Sequence, residues 1–449
     1  MQHYTGVLRK VRYLRYFTFA SLVFLAGFFL SFDVGQAANA PDIQAEAVIL
    51  IDADSGKILY EKNADTMLPP ASMTKMMTEY LILEAIGKGE ISWDQEVPIS
   101  DYTYRVSQNY NLSNVPLLKD VNYTVREIYE AMVIYSANGA TIALAELVAG
   151  SEKEFVNKMN EKAKELGLTD AKFVNSTGLN NNDLFGQHPA GSANEENMMS
   201  ARSTALLAYR LLKDYPDVLE TASIPKKEFT KGLDKPLEML NWNWMLEGLD
   251  LAYPGVDGLK TGSTELGGFS FTGTAEKDGM RLISVVMKTD SYIARFRETA
   301  KLFDFGFNNF SRQEIVTDGF QIKGESLVPV VKGKEKEVEV EAADHLAIVV
   351  ENGEEDQYEP VYQFDESKFQ DGALAAPVKK DEKVGSIVLQ YRGENESYGY
   401  ITGENGASVD LVAADSVEKA GWFRLGLRSI GNAIGGLWNS LTDTVAGWF

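Results

Sequence analysis

Ser72 and Lys75 are the residues whose types and spacing most directly suggest covalent chemistry. They sit in Pro70-Ala71-Ser72-Met73-Thr74-Lys75-Met76-Met77, and apolar residues recur at Met73, Met76, Met77, Tyr80, Leu81 and Ile86. That spacing predicts a helix entered at Pro70, with residues three apart on one face. A serine hydroxyl is a weak nucleophile until a base takes its proton, and a lysine can do so only as the neutral amine. Burial among the methionines, or a second cation nearby, would favour that form. Ser-x-x-Lys alone proves little. It recurs at Ser223 to Lys226 and at Ser416 to Lys419, and Ser72 by itself reads equally well as a helix cap.

A hydrolase built on this pair needs more groups. It requires a proton relay, a hold on the substrate amide, a cation for a substrate carboxylate, and donors for the oxyanion. Ser136-Ala137-Asn138 offers a hydroxyl and an amide at a break between two helical stretches. Lys260-Thr261-Gly262 offers a cation and a hydroxyl on a strand, where glycine permits close approach by a ligand. Ser-x-Asn also occurs in polar loop at Ser107-Gln108-Asn109 and Ser192-Ala193-Asn194, whereas Lys-Thr-Gly occurs once. The three motifs carry weight through their order and setting.

Composition narrows the chemistry further. A chain of 449 residues predicts two or three domains, and 45% hydrophobic with 24% charged residues is globular in type. The net charge of −22 argues against nucleic acid, since nothing would neutralise phosphates. The absence of cysteine excludes thiol chemistry, disulfides and cysteine metal sites. With only His3, His188 and His345 available, a histidine metal cage is excluded in practice. A Ser-His-Asp triad would have to use His188 or His345.

The elements that must position these residues follow in order. Residues 1–40 read as a secretory signal: Lys10, Arg12 and Arg15, an apolar run from Phe17 to Phe32, then Ala37, Ala38 and Ala40. An uncleaved anchor is the alternative. Residues 45–60 predict a β-hairpin around Asp54-Ser55-Gly56, and the Ser72 helix follows. The stretch 97–122 reads as polar loop. Helical patterns cover 124–149, interrupted at Tyr135 to Gly139, and then 152–166 and 200–213, with an Asn- and Gly-rich loop from Asn175 to Asn197 between them.

Strand patterns return after a polar stretch holding Trp242 and Trp244. They run from Val256 to Thr261, Gly268 to Glu276 and Arg281 to Lys288, and a helix from Ala294 to Phe307 closes the unit. The fold class is therefore α+β: an antiparallel sheet made from both ends of residues 41–312, flanked by helices and carrying a helical insert. Residues 313–412 predict a smaller all-β domain, in which Lys332 to Glu341 reads as a solvated strand or loop. Over 416–449 an apolar stripe runs through Phe423, Leu427, Ile430, Ile434, Leu437, Leu441, Val445 and Trp448. It predicts a helix lying in a membrane interface, or one docked on its own domain.

The joint pattern is the signature of penicillin-binding proteins and class A β-lactamases. On Pro70 to Glu79, Tyr135-Ser136-Ala137-Asn138 and Val256 to Gly262, the chain resembles the D-alanyl-D-alanine carboxypeptidases among the low-molecular-mass penicillin-binding proteins. The resemblance implies a serine enzyme that removes the terminal D-alanine from peptidoglycan pentapeptide stems and is acylated by β-lactams. It implies no cofactor or metal, and an exported protein held peripherally on the outer membrane face by its C-terminal helix. Ser72 would be the nucleophile, Lys75 its base and Ser136 the relay. Asn138 would hold the substrate amide, Lys260 with Thr261 would orient the carboxylate end, and the N–H groups of Ser72 and Ser263 would form the oxyanion hole. Arg295 would bind the carboxylate, with Arg297 as competitor. One departure lies at Ser200-Ala201-Arg202-Ser203-Thr204, where the family's acidic residue is missing and Ser203 is the candidate replacement cap. D,D-endopeptidase, β-lactamase and a non-catalytic wall- or β-lactam-binding protein are the alternatives.

Overall fold

The computed structural model describes residues 40–393, 398–403 and 408–422. Residues 1–39 of the expected signal segment 1–40 and the apolar stripe from Phe423 onward lie outside the described residues.

Strands β1 (Ala47–Asp52) and β2 (Ile58–Lys62) form the first hairpin. They join β3 (Val256–Thr264), β4 (Gly268–Lys277) and β5 (Met280–Thr289) in one antiparallel sheet of order β2-β1-β5-β4-β3. The two ends of the catalytic unit meet where Ala47 pairs with Met287 and Asp52 with Leu282. Strand β1 is buried throughout. Alternate side chains point to opposite faces of a strand, so Ala47, Ile49 and Ile51 enter one apolar cluster while Val48 and Leu50 enter another. Helices cover both faces, which explains a strand with no polar side.

On one face pack α1 (Lys75–Gly87) and α6 (Ala201–Asp214); on the other packs α8 (Ala294–Asn309) through Phe296, Leu302 and Phe303. Between them in sequence come α2 (Asp101–Ser107), α3 (Val125–Tyr135), α4 (Asn138–Ala149), α5 (Glu152–Glu165) and the short α7 (Val218–Ala222). Helices α3 and α4 form a third apolar cluster with Ile82, Val115, Leu117, Phe229 and Met239. The active-site motifs lie where this helical lobe meets the sheet.

Several expectations are corrected. Residues 97–122 are not simply polar loop: Ser100 caps α2 by accepting from Thr103 N, and Val115 and Leu117 are fully buried. Ser72 does not start an α-helix. It lies in a 3₁₀ turn, Ala71–Thr74, that leads into α1, and it caps nothing. Ser203 is no cap either. Ser200 Oγ accepts from Ser203 N at 3.0 Å, and Ser203 Oγ accepts from Asp170 N instead. The charged run around Glu341 contains a half-buried strand, Glu337–Ala342, whose Val338, Val340 and Ala342 face the core.

The C-terminal domain is built on strands 358–364, 383–391, 408–413, 337–342, 327–331, 373–375 and 369–370, in that spatial order, with 310–316 paired to 346–351. The chain after it does not turn helical at Ser416. Val417 bridges to Val378 and Lys419 to Gly333, and Val417 and Ala420 are buried. The two domains touch at the β1–β2 turn, where Ile401 N donates to Gly56 O and Lys57 Nζ donates to Val349 O at 3.0 Å.

Candidate active site

Three separate parts of the chain deliver the motifs to one cleft. The 3₁₀ turn presents Ser72. The α3–α4 break presents Ser136 and Asn138. Strand β3, an edge strand of the sheet, presents Thr261, Gly262 and Ser263. With Arg295, Tyr292, Trp242, Leu179 and the segment Asn111 to Ser113 they line a cavity of about 270 Å³.

Close approach depends on two glycines. A Cβ on Gly262 would sit 2.4 Å from Pro70 O, so only glycine lets β3 lie against the turn that carries Ser72. Gly178 has φ +80°, and a Cβ there would meet Ala71 O at 1.8 Å. The backbone is also strained without glycine on either side of the cleft: Ala71 has φ 51° and Ser136 has φ 56°. Non-glycine residues in this region cost about 1–3 kcal/mol each and persist where the surroundings over-determine them.

Lys75 lies beneath the cleft floor, 1% exposed. Its Nζ is 3.1 Å from Ser72 Oγ, 2.8 Å from Asn138 Oδ1 and 2.8 Å from Thr177 O. Asn138 Nδ2 donates to Ser113 O at 2.9 Å, which fixes the amide with its oxygen toward the lysine. A neutral amine has two hydrogens and one lone pair. Both hydrogens are claimed by acceptors that cannot donate, Asn138 Oδ1 and Thr177 O. The lone pair is then left for the Ser72 hydroxyl.

Electrostatics favour that protonation state. Burial, then the charge of Lys260, holds Lys75 well below the ordinary lysine range. Burial and then Arg295 push Lys260 down to about 7, against an opposing pull from Glu79. Burial lowers even Arg295, to about 10. Among the described residues no carboxylate lies within ion-pair distance of Lys75, Lys260 or Arg295. The buried acid of this region, Glu79, is raised to about 7 by burial and accepts from Tyr129 OH at 2.6 Å.

Ser136 Oγ is buried and has no hydrogen-bond partner among the described residues, so it is free to handle a proton within the cleft. Arg295 is 1% exposed, its guanidinium stacks 4.0 Å from the Tyr292 ring centroid, and Nη1 donates to Gly262 O. Its Nε has no hydrogen-bond partner among the described residues. Arg297 is exposed and does not line the cleft. Lys260 is buried and does not line it; its Nζ donates to Thr261 O at 3.2 Å. Neither His188 nor His345 lines the cavity, which removes the triad reading.

Residues 34–291 match the family described as D-alanyl-D-alanine carboxypeptidase, peptidase family S11. The chain belongs to the D-alanyl-D-alanine carboxypeptidase family. Residues 310–419 of the carboxypeptidase match the C-terminal domain of penicillin-binding protein 5. It is 32% identical over 389 residues to D-alanyl-D-alanine carboxypeptidase DacF of Bacillus subtilis, covering 87% of this chain and 90% of DacF. It is 33% identical over 401 residues to DacC of Escherichia coli, covering 88% and 89%.

Among solved structures, a peptidoglycan synthesis regulatory factor (PBP3) from Streptococcus pneumoniae aligns with TM-score 0.73 and 38% identity, over 84% of this chain and all of that one. Penicillin-binding protein 5 of Haemophilus influenzae aligns with TM-score 0.67 and 28% identity, over 85% and 99%. The carboxypeptidase is thus a serine-type, penicillin-binding D-Ala-D-Ala carboxypeptidase with an α+β peptidase domain and an all-β C-terminal domain. The β-lactamase and non-catalytic alternatives are not favoured.

No sequence motif marks Thr177, Ser113, Tyr292 or Trp242 as part of this cleft. Thr177 acts through a backbone carbonyl, which no side-chain pattern reveals. The available signal was the asparagine density around it: Asn175 Oδ1 accepts from Thr177 N and Gly178 N, and Asn197 Nδ2 donates to Thr74 Oγ1, tying the loop to the turn.

Proposed function

We propose that this carboxypeptidase removes the terminal D-alanine of peptidoglycan pentapeptide stems with Ser72 as nucleophile and Lys75 as its base. The observation that carries this reading is Lys75 Nζ at 3.1 Å from Ser72 Oγ, with Asn138 Oδ1 and Thr177 O each at 2.8 Å to accept the two hydrogens of a neutral amine. Ser72 Oγ attacks the penultimate D-alanine carbonyl while its proton passes to Lys75. The oxyanion is held by the backbone N–H groups of Ser72 and Ser263. The proton then travels through Ser136 Oγ to the departing nitrogen, the C–N bond breaks and D-alanine leaves. Water attacks the acyl ester and restores Ser72.

Arg295 binds the substrate's terminal carboxylate. What supports this is a buried cation without a carboxylate partner, aimed at the cleft beside Gly262. Asn138 has one Nδ2 hydrogen engaged with Ser113 O, which leaves the other for the substrate amide. Thr261 completes the carboxylate end, and Lys260, buried next to it, acts through its charge to keep Lys75 neutral. The unpaired edge of β3 suits an extended peptide. A β-lactam acylates the same serine, but its leaving nitrogen stays tethered.

The enzyme is exported and rests on the outer membrane face through residues 423–449. No helix among the described residues is long and apolar enough to cross a membrane. D-Alanine release from a pentapeptide tests the catalytic assignment: the wild type turns over, and Ser72→Ala and Lys75→Ala each lose activity by about 10³-fold or more. Turnover retained in either variant rejects it.

A further inference from the structure

Trp242 lines the cleft, yet nothing in the proposed chemistry uses it. Its indole Nε1–H donates to Ser113 Oγ at 2.9 Å and to Tyr135 O at 3.0 Å. Ser113 Oγ in turn donates to Tyr135 O at 2.5 Å. Tyr135 is the last residue of α3, so its carbonyl has no partner inside the helix. The same peptide unit leads into Ser136, which sits in the left-handed region at φ 56° and ψ 31°. Because Ser136 Oγ has no hydrogen-bond partner among the described residues, the backbone and packing aim it.

On its other side Trp242 meets Tyr292, with ring centroids 6.2 Å apart at 66°. Tyr292 OH donates to Trp242 O at 3.3 Å and its ring carries the Arg295 guanidinium. One side chain therefore joins the helical wall of the cleft to the sheet wall.

We infer that Trp242 is a positioning residue: its indole N–H, with Ser113, clamps the Tyr135 carbonyl and so holds Ser136 in the strained conformation that aims its hydroxyl at the leaving group. The inference rests on the proposed roles of Ser72 and Ser136. Loss of the clamp slows the step that needs a proton delivered to the leaving atom, and spares attack by Ser72. An amine cannot leave as an anion, so a peptide substrate depends on that proton. A thiol is far more acidic than an amine N–H, so a thiolate leaves without one.

The test compares kcat/KM, which reports steps up to acylation, for an acyl-D-alanyl-D-alanine peptide and the matching acyl-D-alanyl thioglycolate. Trp242→Phe keeps the ring and removes the N–H. It is expected to lower peptide kcat/KM about tenfold and thioester kcat/KM by no more than about twofold. Ser113→Ala shifts the same ratio in the same direction, and it carries the test if Trp242→Phe does not fold. Equal losses on both substrates, or no loss on either, overturn the inference. A failure of the underlying reading looks different: the wild type itself would form no acyl-enzyme at Ser72.

Discussion

Lys75 Nζ and Asn138 Oδ1 come from positions 63 residues apart and meet at 2.8 Å. This contact makes the asparagine an orienting acceptor for the base, in addition to any hold it has on substrate. Asn138→Asp replaces a neutral acceptor with a carboxylate and stabilises the ammonium form. Acylation by penicillin at neutral pH is expected to fall about 100-fold, the scale of general base catalysis. Stopped-flow acylation rates check this, and an unchanged rate contradicts it.

Lys260 links the site to stability. Its folded pKa is lowered to about 7 from 10.5 by burial and by Arg295. Below about 7 both folded and unfolded states carry the proton, and the folded state bears the full cost of the buried charge. Between about 7 and 10.5 the unfolded chain binds the proton and the folded state does not, so stability rises with pH. Lys260→Met removes that cost. The variant is expected to melt about 5 °C above the wild type at about pH 6 and to lose this advantage by about pH 10. A Tm difference independent of pH rejects the sign.

Gly178→Ala tests the loop that supplies Thr177 O. The residue has φ +80°, and its added Cβ would fall 1.8 Å from Ala71 O. Destabilisation of about 2 kcal/mol or more is expected, with acylation slowed because the turn bearing Ser72 moves with the loop. Denaturant melts together with acylation rates check both parts.

Much of this arrangement was legible in the sequence. The strands of the catalytic sheet were visible from their apolar runs and turns, and Ser72, Lys75 and Ser136 from motifs whose chemistry is in their side chains. What escaped was tertiary or backbone in origin. Helix α2 is only Asp101–Ser107, too short for a periodic signal, and it exists because Ser100 caps it and α4 packs on it. The 3₁₀ turn bearing Ser72 lies against Gly178 and Gly262, both far away in sequence, and no local pattern reveals that contact. Arg295 could be told from Arg297 only once α8 was docked on the sheet.

The extended pairing of Val417 and Lys419 changes where the membrane segment should be cut. Removal of everything after Trp422 leaves that pairing intact, and the truncated enzyme is expected to appear in the soluble fraction with peptide turnover within about twofold of the full chain. A truncated protein that stays with membranes rejects the C-terminal anchor.

The charge state of one buried amine decides the mechanism, and the pH dependence of penicillin acylation reads it most directly. The wild-type acylation rate is expected to rise through an ionisation well below the ordinary lysine value of about 10.4 and to be flat across neutral pH. A rate that keeps climbing to about pH 10, as it would for a lysine with an ordinary pKa, contradicts the account.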